Sequence, residues 1–404
     1  MSGVLGGIIG SVKAATAAVA NKYFAAYSMR ASVARVGAAE DSSGNHYLPV
    51  TGSNTLVKMG KDGAIVWSKS TNFAPTAAVA DANGVYVVGT DGAMLYVAMF
   101  NHSGALQWSK KTTSIINAAS STLYGPRVEN LSSTKLIVTA NHHAVDAKDS
   151  DSWYIITVLK SDGSLQTAVT AGTGLATSVV ADGSGNAWVS GVLGVGSAVL
   201  LVSSTGNTLV NQYSCTGAVY AMAVDPSGNL YLQNNADVTK VGTSRTVAWS
   251  KRFAKATYVT GYSAGLGVDS SGNTYVVPLS KSGESALFKL NTSGVVQWAN
   301  SYVFSPATGG YTSVGVTSTG DVISNYATLT TKSKPAGTTF GTVSFGGTTL
   351  TYSAFTGYTV TDQTPSFSGA STYVLSNVLS AFGWAANTYT PTSGSVPSSI
   401  YTYA

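Results

Sequence analysis

One phrase recurs along the chain, and it fixes the kind of fold available. The stretch reads VADGSGNAWVS at 180–190, AVDPSGNLYL at 223–232 and GVDSSGNTYVV at 267–277. Each is a strand, a tight turn and a second strand. The turn Asp-x-x-Gly-Asn begins at Asp41, Asp182, Asp225 and Asp269, with its glycines at Gly44, Gly185, Gly228 and Gly272. A shorter form spans Asp81–Gly84. The reason is local: an Asp carboxylate can hold the turn backbone, and Gly and Asn tolerate the positive φ such turns need.

A second signature follows roughly twenty residues behind the first. It is an apolar strand, a Ser/Asp-Gly turn and a strand ending in Trp: LVKMGKDGAIVW to Trp67, VAMFNHSGALQW to Trp108, and LFKLNTSGVVQW to Trp298. A degenerate copy, VTKVGTSRTVAW, ends at Trp249, and two weaker ones, VLKSDGSLQT and LVSSTGNTLV, lack the Trp. Together the two signatures make four short strands in about 40 to 50 residues, which is one blade of a β-propeller. Starts near 33, 74, 117, 172, 216, 258 and 309 predict a seven-bladed β-propeller, an all-β fold of four-stranded blades.

The last blade is irregular. Its front, YTSVGVTSTGDVISNYA, is clear, and YVLSNVLSAFGWAANTY (373–389) aligns with FKLNTSGVVQWANSY (288–302), placing Trp384 as that blade's Trp. The residues between are then an insertion with a hairpin around Gly346-Gly347. This predicts three parts: an N-terminal helical anchor over 1–32, the propeller over 33–390 and a C-terminal tail over 391–404. The helix rests on Leu5, Ile8, Val12, Val19 and Tyr23 at three-to-four spacing.

The alternation of AVDxSGNxYV with FxKLxxSGxxxW, together with FGGTTLT at 345–351, resembles the bacterial SBBP-type β-propeller repeat over about 33–390. That resemblance implies a seven-bladed ring of the kind found in extracellular, surface-attached and phage structural proteins. It brings no catalytic residues with it.

Composition narrows the chemistry. Charged residues are only 10% of 404, and the net charge of +5 is spread without a basic run, so no nucleic-acid footprint is expected. The one cysteine, Cys215, excludes a disulfide framework within the chain and reads as a core residue. No apolar run reaches the 18 residues of a membrane-spanning helix.

The tryptophans resemble the docking motif of quinoproteins, but not all of the seven expected blades carry the Trp. Trp67, Trp108, Trp249, Trp298 and Trp384 therefore read as blade-packing residues. A sialidase site fails on spacing, since Trp67 lies four residues after Gly63, and on the supply of arginine, five in all. The polar run ANHHAVDAKDSDSWY, 140–154, offers His142, His143 and Asp146 as a weak metal candidate. Neighbouring His side chains on a strand face opposite ways, so the run reads first as a polar hairpin loop of the third blade. His46 and His102 receive no role.

No catalytic residues and no cofactor are expected. The function expected is that of a non-enzymatic structural or interaction protein, a bacteriophage virion component serving assembly or host adsorption. Its partners would be other particle proteins through the helix, and a host glycan or protein on the loops. Whether the helix meets protein or lipid stays open. The alternatives are a secreted or envelope-attached bacterial propeller binding glycan or protein and, behind it, a quinoprotein-like or glycosidase-like enzyme.

Overall fold

The computed structural model describes residues 24–25, 39–61, 64–114, 122–143, 152–193, 196–234, 236–256, 265–281, 284–305, 311–316, 322–326, 329–333, 341–345, 348–363, 367–369, 375–394 and 401–402. They form a β-propeller. Each blade is a run of four consecutive antiparallel strands, because most connections inside it are only a few residues long and short connections join antiparallel neighbours. The blades begin with Ala39–Glu40, Ala74–Asp81, Thr122–Asn130, Leu175–Ala181, Val219–Val224 and Leu266–Val268.

Cores lie between consecutive blades. Tyr47 and Leu56 of blade 1 pack with Val85, Val87 and Phe100 of blade 2. Tyr86 and Val97 of blade 2 meet Leu136 and Ile156 of blade 3. Trp153 and Ile155 of blade 3 then meet Val189 and Leu200 of blade 4. A blade is therefore apolar on both faces and cannot be stable alone. Cys215 belongs to the core between blades 4 and 5, and burial pushes its thiol up to about 12.

Three expectations need correction. The described residues hold six four-stranded blades, not seven. The strands Tyr311–Val316, Val322–Tyr326 and Leu329–Ser333 form a sheet of only three, set against the first two strands of blade 6. The fourth strand expected for that sheet, around Trp384, lies elsewhere: Gly383–Ala386 pairs with the outermost strand of blade 2. In the segment read as a helix, Phe24–Ala25 is a β-strand paired with Tyr401–Thr402, while Leu5, Ile8, Val12, Val19 and Tyr23 lie outside the described residues.

The reason for the second correction is a belt. From residue 341 the chain leaves the blade pattern and runs back around the rim, adding a fifth strand to one blade after another. Gly341–Phe345 and Thr348–Ala354 form the expected hairpin, but it sits on the outer edge of blade 6. Thr359–Asp362 then pairs with blade 5, Phe367–Gly369 with blade 4, Ser376–Asn377 with blade 3 and Gly383–Ala386 with blade 2. Within the stretch 391–404, expected as a tail, the described residues continue it. Ser393 bridges Lys69 of blade 1, and Tyr401–Thr402 reaches Phe24–Ala25, which lies along Leu329–Ser333 of the three-stranded sheet.

The spacing of the belt is geometric. Ala354 lies opposite Asn300 and, eight residues on, Asp362 lies opposite Lys251, each partner being two residues past a blade Trp. Eight residues of extended chain span at most about 26 Å, which bounds the step from one outer strand to the next. Side chains fasten it at intervals. Phe355 and Tyr358 pack edge-on to Phe288, and Phe382 packs on Tyr154. Asn387 donates to Ser109 Oγ and exchanges hydrogen bonds with Asn72. A chain ended at residue 340 bares the outer edges of blades 1 to 6 and loses these anchors. We expect its melting temperature to fall by about 10 °C or more, with self-association; an unchanged, monomeric melt shows the belt to be dispensable.

Candidate functional site

The recurrent polar feature is a lock at the turn between the first and second strands of the blades. In blade 1, Asp41 Oδ1 accepts the backbone N–H of Ser43 and Asn45 at 3.0 and 2.9 Å, and Oδ2 accepts the Asn45 amide and the Tyr47 hydroxyl. The same bonds recur around Asp225 and Asp269, with Tyr231 and Tyr275 as the phenols. Asp182 makes the turn bonds, but Trp188 stands where the tyrosine would be. Gly44, Gly185, Gly228 and Gly272 close these turns at positive φ.

A lysine and a tryptophan complete the locks of blades 1, 5 and 6. Lys58 lies 3.6 Å from Asp41 and over the Tyr47 ring; Lys240 and Lys289 stand likewise by Asp225 and Asp269, each at 4.0 Å. Directly across the strand pair stand Trp67, Trp249 and Trp298. The indole N–H then reaches the next blade: Trp67 donates to His102 O and Trp249 to Thr292 O, both at 3.0 Å, and Trp108 to Lys160 O at 2.9 Å. Each ring lies on a glycine of that turn. A Cβ on Gly294 would come within 2.8 Å of Trp249, and one on Gly163 within 2.7 Å of Trp108. Trp384 bridges from outside, its indole donating to Gly163 O at 2.8 Å.

Burial alone would raise the Asp41 pKa. Hydrogen bonds from the Asn45 side chain and backbone, Tyr47 and Ser43 outweigh it, and the carboxyl sits below its ordinary value. Its contribution to stability is therefore present above the ordinary carboxylate range and is lost as the pH falls through the lowered folded value. Burial first, then the Asp41 charge, pushes the Tyr47 hydroxyl up.

Sequence reasoning missed three parts of this system. His102, given no role, tops the first lock, with Nδ1 2.6 Å from the Tyr47 hydroxyl. Lys160 supplies blade 2 with the cation its own sequence lacks, pairing with Asp81 at 2.9 Å over the Tyr86 ring. Arg245 of blade 5 likewise covers Trp188 of blade 4. The only signal was position: His102, Lys160 and Thr292 all lie in the turn whose carbonyl receives a Trp.

Other candidates separate. His142 and His143 end the strand Lys135–His143, and the His142 side chain is buried edge-on to Tyr154. Asp146 lies outside the described residues, and no group of three metal-ligating side chains occurs among those described. On the innermost strand of blade 3, Arg127 and Glu129 share a face. Each keeps partial solvent contact, yet burial lowers the guanidinium to about 10 and raises the carboxyl to about 7, the latter opposed by the Asn130 N–H and the Lys160 charge.

No protein-family model matches the chain, and no characterised protein matches it in sequence. Among solved structures it is similar to a streptogramin B lyase, at 9% identity over 78% of this chain and 98% of that one, with a TM-score of 0.52. It is also similar to a chain of the mitotic checkpoint complex, at 8% identity over 77% and 90%, TM-score 0.54, and to the Dos1 propeller, at 10% over 72% and 75%, TM-score 0.51. At such identities the likeness shows the fold alone: the protein is of the β-propeller class. The SBBP-type repeat is not shown as its family.

The locks make a quantitative demand. Replacing Asp225 by Ala leaves two turn N–H groups and the Asn229 amide without their carboxylate acceptor and takes one partner each from the buried Tyr231 hydroxyl and Lys240. We expect a loss of about 2–4 kcal/mol in urea unfolding; a change within about 0.5 kcal/mol would show the lock to be idle.

Proposed function

We propose that this chain is a structural and interaction protein of a bacteriophage virion, presenting a belted propeller for assembly or host adsorption. The observation that carries the reading is the belt, which follows the rim from blade 6 back to blade 1. It covers the outermost strands of the blades, the edges on which a propeller is open to unwanted pairing. The locks support the same reading, because Asp41, Asp81, Asp225 and Asp269 are engaged in holding turns, tyrosines and lysines, and not in facing a substrate. Rigidity of this kind suits display, where loops do the recognising and the ring holds them in place. Binding and assembly, without catalysis, are the proposed work. The apolar stretch ahead of Phe24 is the proposed contact with neighbouring particle proteins, since Phe24–Ala25 ties that end to the close of the belt.

The test is recovery. Particles banded by density gradient from a culture producing this chain are expected to contain it in fixed ratio to their other proteins, by quantitative mass spectrometry. Recovery only in the particle-free supernatant overturns the virion reading and favours a secreted propeller.

A further inference from the structure

The innermost strand of blade 3, Thr122–Asn130, carries two charged side chains that the locks do not use, Arg127 and Glu129. Alternate residues of a strand share a face, so the two stand side by side. Val128 between them packs toward blade 2, which turns Arg127 and Glu129 toward blade 4 and the centre of the ring. Ile137, directly opposite Glu129, agrees with this, since it belongs to the core between blades 3 and 4. The facing strand of blade 4, Leu175–Ala181, has no charged residue.

Arg127 has no counter-charge. Its Nε is buried without a hydrogen bond, and no ion pair or hydrogen bond joins the guanidinium to any described residue. Thr139, directly opposite, does not fill the gap, because its own hydroxyl is buried and unpaired as well. Of the charged or titratable groups on the strands around it, Asp81 is held by Lys160, Lys135 reaches Ser204 O, and His142 lies edge-on to Tyr154. Glu129 accepts only the Asn130 N–H, at 3.1 Å. Burial lowers the guanidinium to about 10, so it stays charged at neutral pH, and raises the Glu129 carboxyl to about 7 against the pull of the Asn130 N–H and the Lys160 charge. Both side chains nevertheless touch solvent. Enclosure with solvent contact, on an innermost strand, marks the wall of a water-filled opening. Of the guanidinium nitrogens only Nε is sealed off, so the two Nη groups face that opening.

A fixed positive charge between weakly polar walls attracts an anion more strongly than the same charge in bulk water. The two Nη groups match the two oxygens of a carboxylate. Glu129 decides between anions. Phosphate or sulfate brings a second negative charge against its carboxyl group, whereas a carboxylate brings one and can accept a hydrogen bond from Glu129 as the protonated acid.

We propose that Arg127 and Glu129 form a binding site for a small carboxylate in the central opening of the ring, Arg127 holding the anion and protonated Glu129 donating to it. The sign of the pH dependence follows. Binding draws on the protonated form of Glu129, whose share falls about tenfold between pH 6 and pH 8 for a group titrating at about 7. The inference goes beyond the virion reading and is tested on the purified full chain without any particle.

The chain has five arginines, so the Nε–Hε resonances of isotope-labelled protein are few, and Arg127→Met assigns that of Arg127 by its loss. Acetate, lactate and benzoate are titrated at constant ionic strength by NMR and calorimetry, with phosphate and sulfate as comparators. At pH 6 at least one carboxylate is expected to move the Arg127 resonance with millimolar affinity, phosphate and sulfate binding at least about tenfold more weakly. At pH 8 its affinity is expected to be about tenfold lower. Glu129→Gln, which cannot ionise, is expected to bind equally at both pH values. Arg127→Met is expected to lose binding and keep its melting temperature, because the guanidinium it removes has no partner. No shift from any carboxylate, phosphate or sulfate binding as tightly, undiminished binding by Arg127→Met, or one affinity at pH 6 and pH 8 in the native chain overturns the proposal.

Discussion

The carboxylate of the Asp-x-x-Gly-Asn turn is the contact on which the rest of this ring depends. It is buried, and a buried carboxylate is tolerable only when its oxygens are filled. At Asp225 they are filled by two turn N–H groups, the Asn229 amide and the Tyr231 hydroxyl, with Lys240 beside them. Once the phenol is pinned, its ring forms a floor for the lysine stem and the Trp249 indole. The indole then extends to the next blade and donates to its turn. A local turn is thereby coupled to the spacing between blades, and the same coupling recurs through Trp67 of blade 1 and Trp108 of blade 2.

How far this was legible in the sequence follows from range. The Asp turns and Trp hairpins are stabilised by neighbours a few residues away, so their residue types appear as phrases, and the blade starts near 74, 172 and 216 fall within three residues of the strands Ala74–Asp81, Leu175–Ala181 and Val219–Val224. The belt has no such phrase. Its strands are as short as Ser376–Asn377, and their places follow the outer strands they pair with, not a local turn. The stretch around Trp384 reads WAANTY where blade 6 reads WANSY, and local likeness placed it in the wrong sheet. Lys160 and Arg245 were hidden for the opposite reason: each serves the blade before its own, and substitutes there for a residue that the pattern omits.

The belt also changes what holds the ring closed. Ser70 and Thr392, 322 residues apart, exchange hydrogen bonds, and the belt touches the blades in reverse order of their synthesis. Blades 1, 2 and 5 are thus joined to the blade that follows twice, by the indole lock and by the chain around the rim. Contacts of this sequence separation are slow to form, so the blades assemble on local information and the belt completes them.

The path of the belt is the central claim, and disulfide mapping tests it most directly. Lys110 and Ala386 are directly opposed on adjacent strands, within reach of a disulfide, and the native Cys215 is buried. A chain carrying Lys110→Cys and Ala386→Cys is expected to cross-link fully on mild oxidation, while one carrying Ser333→Cys and Ala386→Cys stays reduced. Cross-linking of the second pair and not the first would return Trp384 to the last sheet and contradict the belt.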